Sequence, residues 1–132
     1  MKNFALLFLL LGAVALHAAE AATTAPKPVL PRLIDLGADK CIPCKLMVPV
    51  LAELSKEYAG RLDVQFIDVW KNPEEGPRYG ISIIPTQIFF DSQGKELYRH
   101  VGFFAKQDIL AKWADLGVKF TPPPAAAREK KS

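Results

Sequence analysis

The chain has 132 residues, half of which are hydrophobic, and a formal net charge of +3. This length predicts one domain. The C-terminal sequence REKK supplies +2 of the charge, so the sequence lacks the basic stripe on a folded face that nucleic-acid binding requires. These features exclude nucleic acid as the expected partner and predict a small folded domain with a basic tail.

The N-terminal segment has the features of a secretory signal peptide. A lysine precedes an apolar run over residues 4–16, and these 13 residues are fewer than the roughly 20 that a membrane-spanning helix needs. The small-residue pattern AEA at residues 19–21 has the form of a cleavage site. We therefore predict a signal peptide over residues 1–21 and export to the periplasm. The alternative is an uncleaved signal that anchors the protein in the membrane.

The first part of the fold is predicted as a strand followed by a long helix. Residues 22–30 are small, polar and proline-rich, which indicates a linker ahead of a domain over residues 31–118. The apolar stretch RLIDLGA, residues 32–38, predicts a short buried strand. A helix is predicted from a first turn near Cys41 up to Gly60. Its apolar positions repeat at the helical spacing and are 46, 47, 50, 51, 54 and 58.

The second part is predicted as a strand, a short helix, a hairpin and a final helix. Apolar residues on both faces of LDVQFIDVW indicate a central strand covered by helices on both sides. Asn72 is a good N-cap for the short helix. The turn DSQG joins the next two strands into a hairpin. The predicted bounds are 62–70 for the strand, 72–80 for the short helix, 85–90 and 95–102 for the hairpin, and 106–117 for the final helix.

The order of these elements is βαβαββα, which predicts an α/β fold. Two parallel βα crossovers followed by a hairpin would form a mixed four-stranded sheet with helices on both faces. The segment after the final helix, residues 119–132, is rich in proline, alanine and charge, and it is predicted to be a disordered basic tail.

Both cysteines of the chain lie in the sequence CIPC, residues 41–44, which permits three interpretations. In an oxidising compartment such a pair can form a disulfide, but a loop this short constrains the unfolded chain too little for stability to be its main purpose. Cys41, Cys44 and Met47 together would offer soft sulfur ligands to copper(I). Against this metal-carrier alternative, Met47 lies on the apolar stripe of the helix, which favours packing, and His100 is remote in sequence. The third interpretation is a reactive dithiol.

The surroundings of CIPC resemble the thioredoxin family. The motif begins a helix and is followed by Lys45, and a helix-kinking proline, Pro49, stands five residues after the second cysteine. Asp35 lies six residues before Cys41, where thioredoxins carry a buried aspartate. YGISIIPT is similar to the family's YGI-x-x-IPT segment, whose proline is cis and is here Pro85, and VGFFAK is similar to its closing V-G-x-x-x-K. The resemblance implies a thioredoxin-like fold over roughly residues 31–118.

The resemblance also implies an activity, namely thiol–disulfide exchange with protein substrates, with no cofactor and no metal. Cys41 is the expected nucleophile, because a helix N-terminus favours the thiolate. Cys44 would then release the substrate by attacking Cys41. By resemblance, Asp35 accepts the proton of Cys44, and burial would raise its pKa toward neutrality.

Four residues are expected to bind substrate. By resemblance, Pro85 faces the dithiol and the backbone of Ile84 pairs with the substrate chain. Ile42 and Pro43, which separate the two cysteines, complete the predicted set.

The sequence departs from the family's usual pattern at several positions. Lys40 replaces the tryptophan before the first cysteine, Ile42 replaces a glycine, and Phe66 stands where a lysine often neighbours the buried aspartate. The chain also lacks the inserted helical domain that strong periplasmic oxidants carry, which favours a reductase. A periplasmic reductase needs a membrane-bound electron donor, and we expect the protein to be a monomer.

Overall fold

The computed structural model describes residues 29–120. The predicted signal peptide, nearly all of the linker and the tail from residue 121 lie outside the described residues. Within them the elements follow the predicted βαβαββα order. They are β1 (Arg32–Gly37), α1 (Ile42–Glu57), β2 (Asp63–Asp68), α2 (Glu75–Arg78), β3 (Thr86–Phe90), β4 (Glu96–Val101) and α3 (Lys106–Asp115).

The four strands form one mixed sheet in the order β2-β1-β3-β4, which confirms the predicted fold class. Strands β1 and β2 are parallel, whereas β3 is antiparallel to both β1 and β4. The predicted hairpin is therefore present. The prediction of two parallel crossovers is wrong, because only the connection through α1 returns the chain to a parallel strand.

The shortness of α2 explains the direction of β3. A helix of four residues rises only about 6 Å, too little to carry the chain back along the sheet. The chain therefore enters β3 at the end where β2 stopped, and the first residue of β3, Thr86, pairs with Leu36 near the end of β1. As a result, three segments meet at one edge of the sheet, the edge formed by the C-terminal ends of β1 and β2. They are the segments that follow β1 and β2 and the segment that precedes β3.

Strand β2 is an edge strand, so its predicted central position is wrong. Phe66 in the middle of β2 is 41% exposed. The inner strands are β1 and β3, and every residue of β3 is buried. The apolar residues of β2 pack on both faces of the sheet, Val64 against the larger cluster and Ile67 against the smaller one, but they are only partly buried.

Two details of the helices also differ from the prediction. Leu46 is 55% exposed although it belongs to the predicted apolar stripe of α1. The members of the stripe that lie in the core are Met47, Leu51, Leu54 and Tyr58. Asn72 does not cap α2, which begins three residues later. Its side-chain amide donates instead to the backbone carbonyl of Asp68.

Two apolar clusters lie on opposite faces of the sheet. One joins α1 and α3 to the face that carries Leu33 and Phe89. The other lies under the α2 side and is built from Ile34, Leu36, Ile88 and Phe90. Because side chains alternate along a strand, Asp35 and Gly37 share the face of Leu33 and so point toward α1. The larger cluster contains Leu33, Met47, Leu51, Leu54, Tyr58, Leu62, Phe89, Phe104, Ile109 and Trp113.

Candidate active site

The cysteine pair lies where α1 begins, just beyond the end of β1. Cys41 is the N-cap of α1, with an extended backbone (φ −80°, ψ 122°), and its Sγ accepts a hydrogen bond from the backbone N–H of Cys44 at 3.4 Å. Pro43 fits the first turn because that turn leaves its N–H groups unpaired in any case. The first sulfur is thus held against the positive end of a helix, which favours a thiolate there.

Cys41 and Cys44 form a disulfide, with their Cα atoms 5.2 Å apart. The two sulfurs differ in access. Cys41 is partly exposed, whereas Cys44 is 1% exposed and packs under the first turn of the helix. Cys41 is therefore the more accessible of the two cysteines.

A buried carboxylate anchors the loop that leads to Cys41. Asp68, at the end of β2, accepts hydrogen bonds from the backbone N–H groups of Asp39 at 3.1 Å, Trp70 at 2.9 Å and Lys71 at 3.1 Å. Burial opposes the charge of Asp68, but these donors and the Lys71 ammonium outweigh it and hold the pKa of the carboxyl below its usual range. The Lys71 ammonium also pairs with Asp39. The loop that leads from β1 to Cys41 is therefore held against the end of β2.

Gly37 lets the sheet approach the buried cysteine closely. A Cβ at this position would lie 3.3 Å from the Sγ of Cys44 and 3.0 Å from a ring carbon of Phe66. Both distances are shorter than ordinary contacts, so a side chain here would displace one of these groups. Gly37 thus brings Cys44 against the face of β1 that carries Asp35.

Asp35 is fully buried on β1, as the sequence predicted. Burial raises the pKa of its carboxyl from the usual 3.8 to about 6, although a hydrogen bond from Gln87 lowers it. The donor is Gln87 Nε2, 2.6 Å from Asp35 Oδ1, while Asp35 Oδ2 has no hydrogen-bond partner among the described residues. Phe66 is the β2 residue paired with Asp35, so no lysine occupies that position. The carboxyl can therefore exchange a proton near neutral pH.

Ile84 and Pro85 lie at the same edge of the sheet as the dithiol. The peptide bond between them is cis, and Pro85 is buried. The carbonyl of Pro85 accepts the N–H of Gly102 at 2.8 Å, and the Thr86 hydroxyl donates to the carbonyl of Ile83 at 2.6 Å. These bonds hold the segment in place immediately before β3.

Several large apolar side chains are exposed near the disulfide. Ile42, between the cysteines, is 76% exposed. Two further large side chains, Ile83 and Trp70, are exposed on the loops that adjoin this edge, and Phe66 is exposed within β2. A protein segment that reaches Cys41 therefore has an apolar surface to pack on.

Met47 serves the core. Its side chain is fully buried in the larger cluster, and its Sδ accepts a hydrogen bond from the backbone N–H of Phe104 at 3.3 Å. Over residues 29–120, no group of three or more histidine, cysteine or acidic side chains is arranged to hold a metal ion. His100 lies on β4, where its ring stacks on Phe104 with centroids 4.0 Å apart. These contacts give the copper alternative no support.

Three residues near the site were not predicted from the sequence, namely Gln87, Asp68 and Gly37. A signal existed for Gln87, since it is a strongly polar residue in a predicted strand, between the IPT segment and the apolar run IFF. The other two depend on distances between segments remote in sequence, which no local pattern reveals.

Comparisons with known proteins agree with this geometry. The family model described as Thioredoxin matches residues 18–115. Thioredoxins from several Staphylococcus aureus strains are 38% identical over 78 residues, which is 59% of this chain and 74% of theirs. The chain belongs to the thioredoxin family. With its Cys41–Cys44 disulfide, it is a thiol–disulfide oxidoreductase that, like thioredoxins generally, acts on protein disulfides.

Solved thioredoxin-like structures share the fold. A chloroplastic thioredoxin z superposes with a TM-score of 0.61 at 26% identity, covering 69% of this chain and 81% of that one. A malarial protein gives a TM-score of 0.61 at 21% identity, over 65% of this chain and 96% of the other. Between residues 29 and 120, this thioredoxin-family chain has no helix long and apolar enough to span a membrane.

Proposed function

We propose that this protein is a periplasmic disulfide reductase in which Cys41 is the nucleophile, Cys44 the resolving cysteine and Asp35 the proton acceptor. One observation carries the assignment: the disulfide caps α1 with the sulfur of Cys41 accessible and that of Cys44 buried. This asymmetry supports Cys41 as the sulfur that meets substrate and Cys44 as the sulfur that completes the reaction.

The reaction proceeds in two exchanges. The Cys41 thiolate attacks one sulfur of a substrate disulfide, the substrate's S–S bond breaks, and its second sulfur leaves as a thiolate. Asp35 then takes the proton of the Cys44 thiol, and the resulting thiolate attacks the sulfur of Cys41. The mixed disulfide breaks, the Cys41–Cys44 disulfide forms, and the substrate leaves reduced by two electrons.

Substrate binding is assigned to the segments on either side of the dithiol. Ile84 would offer its backbone N–H and carbonyl to an extended substrate segment, and Pro85 would fix the direction of that backbone. Ile42 and Pro43 would contact the residues next to the substrate cysteine. Main-chain pairing reads backbone shape more than sequence, so this arrangement suits several protein substrates.

The direction of electron flow and the location are part of the proposal. Export by a signal peptide over residues 1–21 would place the domain over residues 31–118, as a monomer, in the periplasm. The compact fold of residues 29–120, in which no helical domain is inserted, supports reduction. A membrane-bound electron donor would then restore the dithiol. N-terminal sequencing of the periplasmic protein tests this part, and a first residue upstream of the cleavage site would contradict it.

The activity is tested by insulin reduction with dithiothreitol as the electron source. The wild-type protein should accelerate insulin aggregation, and Cys41→Ser should reduce the rate to that of dithiothreitol alone. A Cys41→Ser variant that is as fast as wild type would disprove the role of the dithiol.

The direction is tested by the redox potential of the Cys41–Cys44 pair. A reductase should equilibrate with glutathione near the reducing end of the family, about −270 mV, whereas a value near −120 mV would indicate an oxidant. The second result would overturn the direction and leave the exchange chemistry intact.

A further inference from the structure

A buried polar pair crosses the two inner strands of the sheet. Gln87 is fully buried on β3, directly opposite Asp35 on β1. Its Nε2 donates to Asp35 Oδ1 at 2.6 Å, but its own Oε1 has no hydrogen-bond partner among the described residues, and neither does Asp35 Oδ2. An unpaired buried acceptor is costly, so its presence here requires a reason.

We infer that Gln87 is a positioning residue for the reaction: it occupies Oδ1 of Asp35 and leaves Oδ2 as the oxygen that takes the proton of Cys44, and so sets the pH range in which resolution occurs. This inference rests on the proposed role of Asp35. It concerns the particular oxygen that accepts the proton and the residue that selects it.

The chemistry of the two side chains supports this division. An ionised carboxylate attracts an N–H donor and repels a carbonyl oxygen, so the amide of Gln87 turns its Nε2 toward Asp35. When the proton of the Cys44 thiol moves to Oδ2, a Cys44 thiolate and a neutral carboxylic acid result. Oδ1 is then a carbonyl oxygen that still accepts the Gln87 N–H. The hydrogen bond therefore persists through the transfer, and neither side chain has to rotate.

Among residues 29–120, no charged side chain forms an ion pair with Asp35. From β2, the paired residue is the apolar Phe66, and Asp68 two residues further along is committed to backbone donors. From β4, His100 pairs with Gln87 and not with Asp35. From α1, Cys44 lies against the same face of β1, since its Sγ is 3.3 Å from the Cβ position of Gly37. From α3, the apolar Ile109 and Trp113 pack in the cluster on this face. Gln87 is therefore the group that favours the charged form of Asp35 against its burial.

The first test measures Asp35 directly in the oxidised protein. The side-chain carboxyl carbon is followed by NMR between pH 4 and pH 9 in wild type and in Gln87→Met, which keeps the length of the side chain and removes the donor. Loss of a hydrogen bond to a charged group should raise the titration midpoint of Asp35 by about one to two pH units. The matched control is Gln65→Met, which removes an equivalent amide–carboxylate bond, to Asp63 at 2.6 Å, on β2. It should leave the midpoint unchanged.

The second test follows insulin reduction as a function of pH. At a pH near 6, raising the midpoint by one unit lowers the ionised fraction of Asp35 about fivefold. The rate should fall by that factor in Gln87→Met and recover at higher pH. A merely structural role would lower the rate by the same factor at every pH, and that result would overturn the inference. If Gln87→Met does not fold, Gln87→Asn keeps an amide that is too short to reach Asp35, and it should shift the midpoint in the same direction.

The two tests separate this inference from the proposed function. If wild-type protein fails to reduce insulin, the proposed function fails, but the NMR midpoint still reports whether Gln87 sets the protonation of Asp35. An unchanged midpoint in both Gln87 variants, or an equal shift in Gln65→Met, would overturn the inference even in an active enzyme.

Discussion

Replacing Asp35 by asparagine is expected to stabilise the oxidised protein at neutral pH. The folded state raises the pKa of this carboxyl from 3.8 to about 6, so folding favours its protonated form. Stability from this group is complete below pH 3.8 and is lost as the pH rises to about 6. At about 1.4 kcal/mol per pH unit, the loss amounts to up to about 3 kcal/mol. Asparagine carries no charge, so the variant avoids this loss.

The assay is urea unfolding of both proteins, with the disulfide intact, over a series of buffers from pH 4 to pH 8. The free energies of unfolding should be similar at the acid end, Asp35→Asn should become the more stable protein as the pH rises from 4 to about 6, and the difference should level off above that pH. Asp63→Asn, at the first residue of β2 and opposite Arg32 at the start of β1, serves as the control and should follow wild type throughout. A difference between Asp35→Asn and wild type that does not grow with pH would refute the reasoning.

Three further predictions concern residues that support the site. Gly37→Ala should lower the free energy of unfolding by about 1–3 kcal/mol, because the added methyl group would meet Cys44 and Phe66. Gly76→Ala, whose methyl group would have nothing within 4 Å, should not lower it, and equal shifts in the thermal midpoints of the two variants would contradict this prediction. Asp68→Asn should speed hydrogen exchange of the Asp39 amide by on the order of tenfold, because an amide nitrogen cannot accept that N–H, and an unchanged rate would argue against the anchoring role. Met47→Leu should leave the copper(I) affinity of the reduced protein unchanged in a competition titration, since the thioether is a core group, and a weaker affinity would revive the metal alternative.

Local sequence patterns predicted the parts of the fold that are determined by residues close together in the chain. The helical spacing after CIPC located α1, and the DSQG turn located the hairpin. The burial of Asp35 was predicted because it is flanked by apolar residues in a short strand. In each of these cases, the determining residues lie within a few positions of one another.

The wrong predictions concern relations between distant segments. The direction of β3 depends on the length of α2, which at four residues is shorter than a crossover needs. The edge position of β2 depends on which strands pair with β1, which its composition does not determine. The hydrogen bond between Asp35 and Gln87 could likewise not be predicted, because the two residues are 52 positions apart in sequence.

The central claim is that Cys41 attacks substrate and Cys44 resolves the mixed disulfide, and trapping of that intermediate tests it most directly. The reduced single-cysteine variants Cys44→Ser and Cys41→Ser are mixed separately with insulin, and the adducts are mapped by mass spectrometry. Cys44→Ser should accumulate a stable mixed disulfide on Cys41, and Cys41→Ser should form almost none, because Cys44 is only 1% exposed. Equal adducts on both variants, or an adduct on Cys44 alone, would contradict the account.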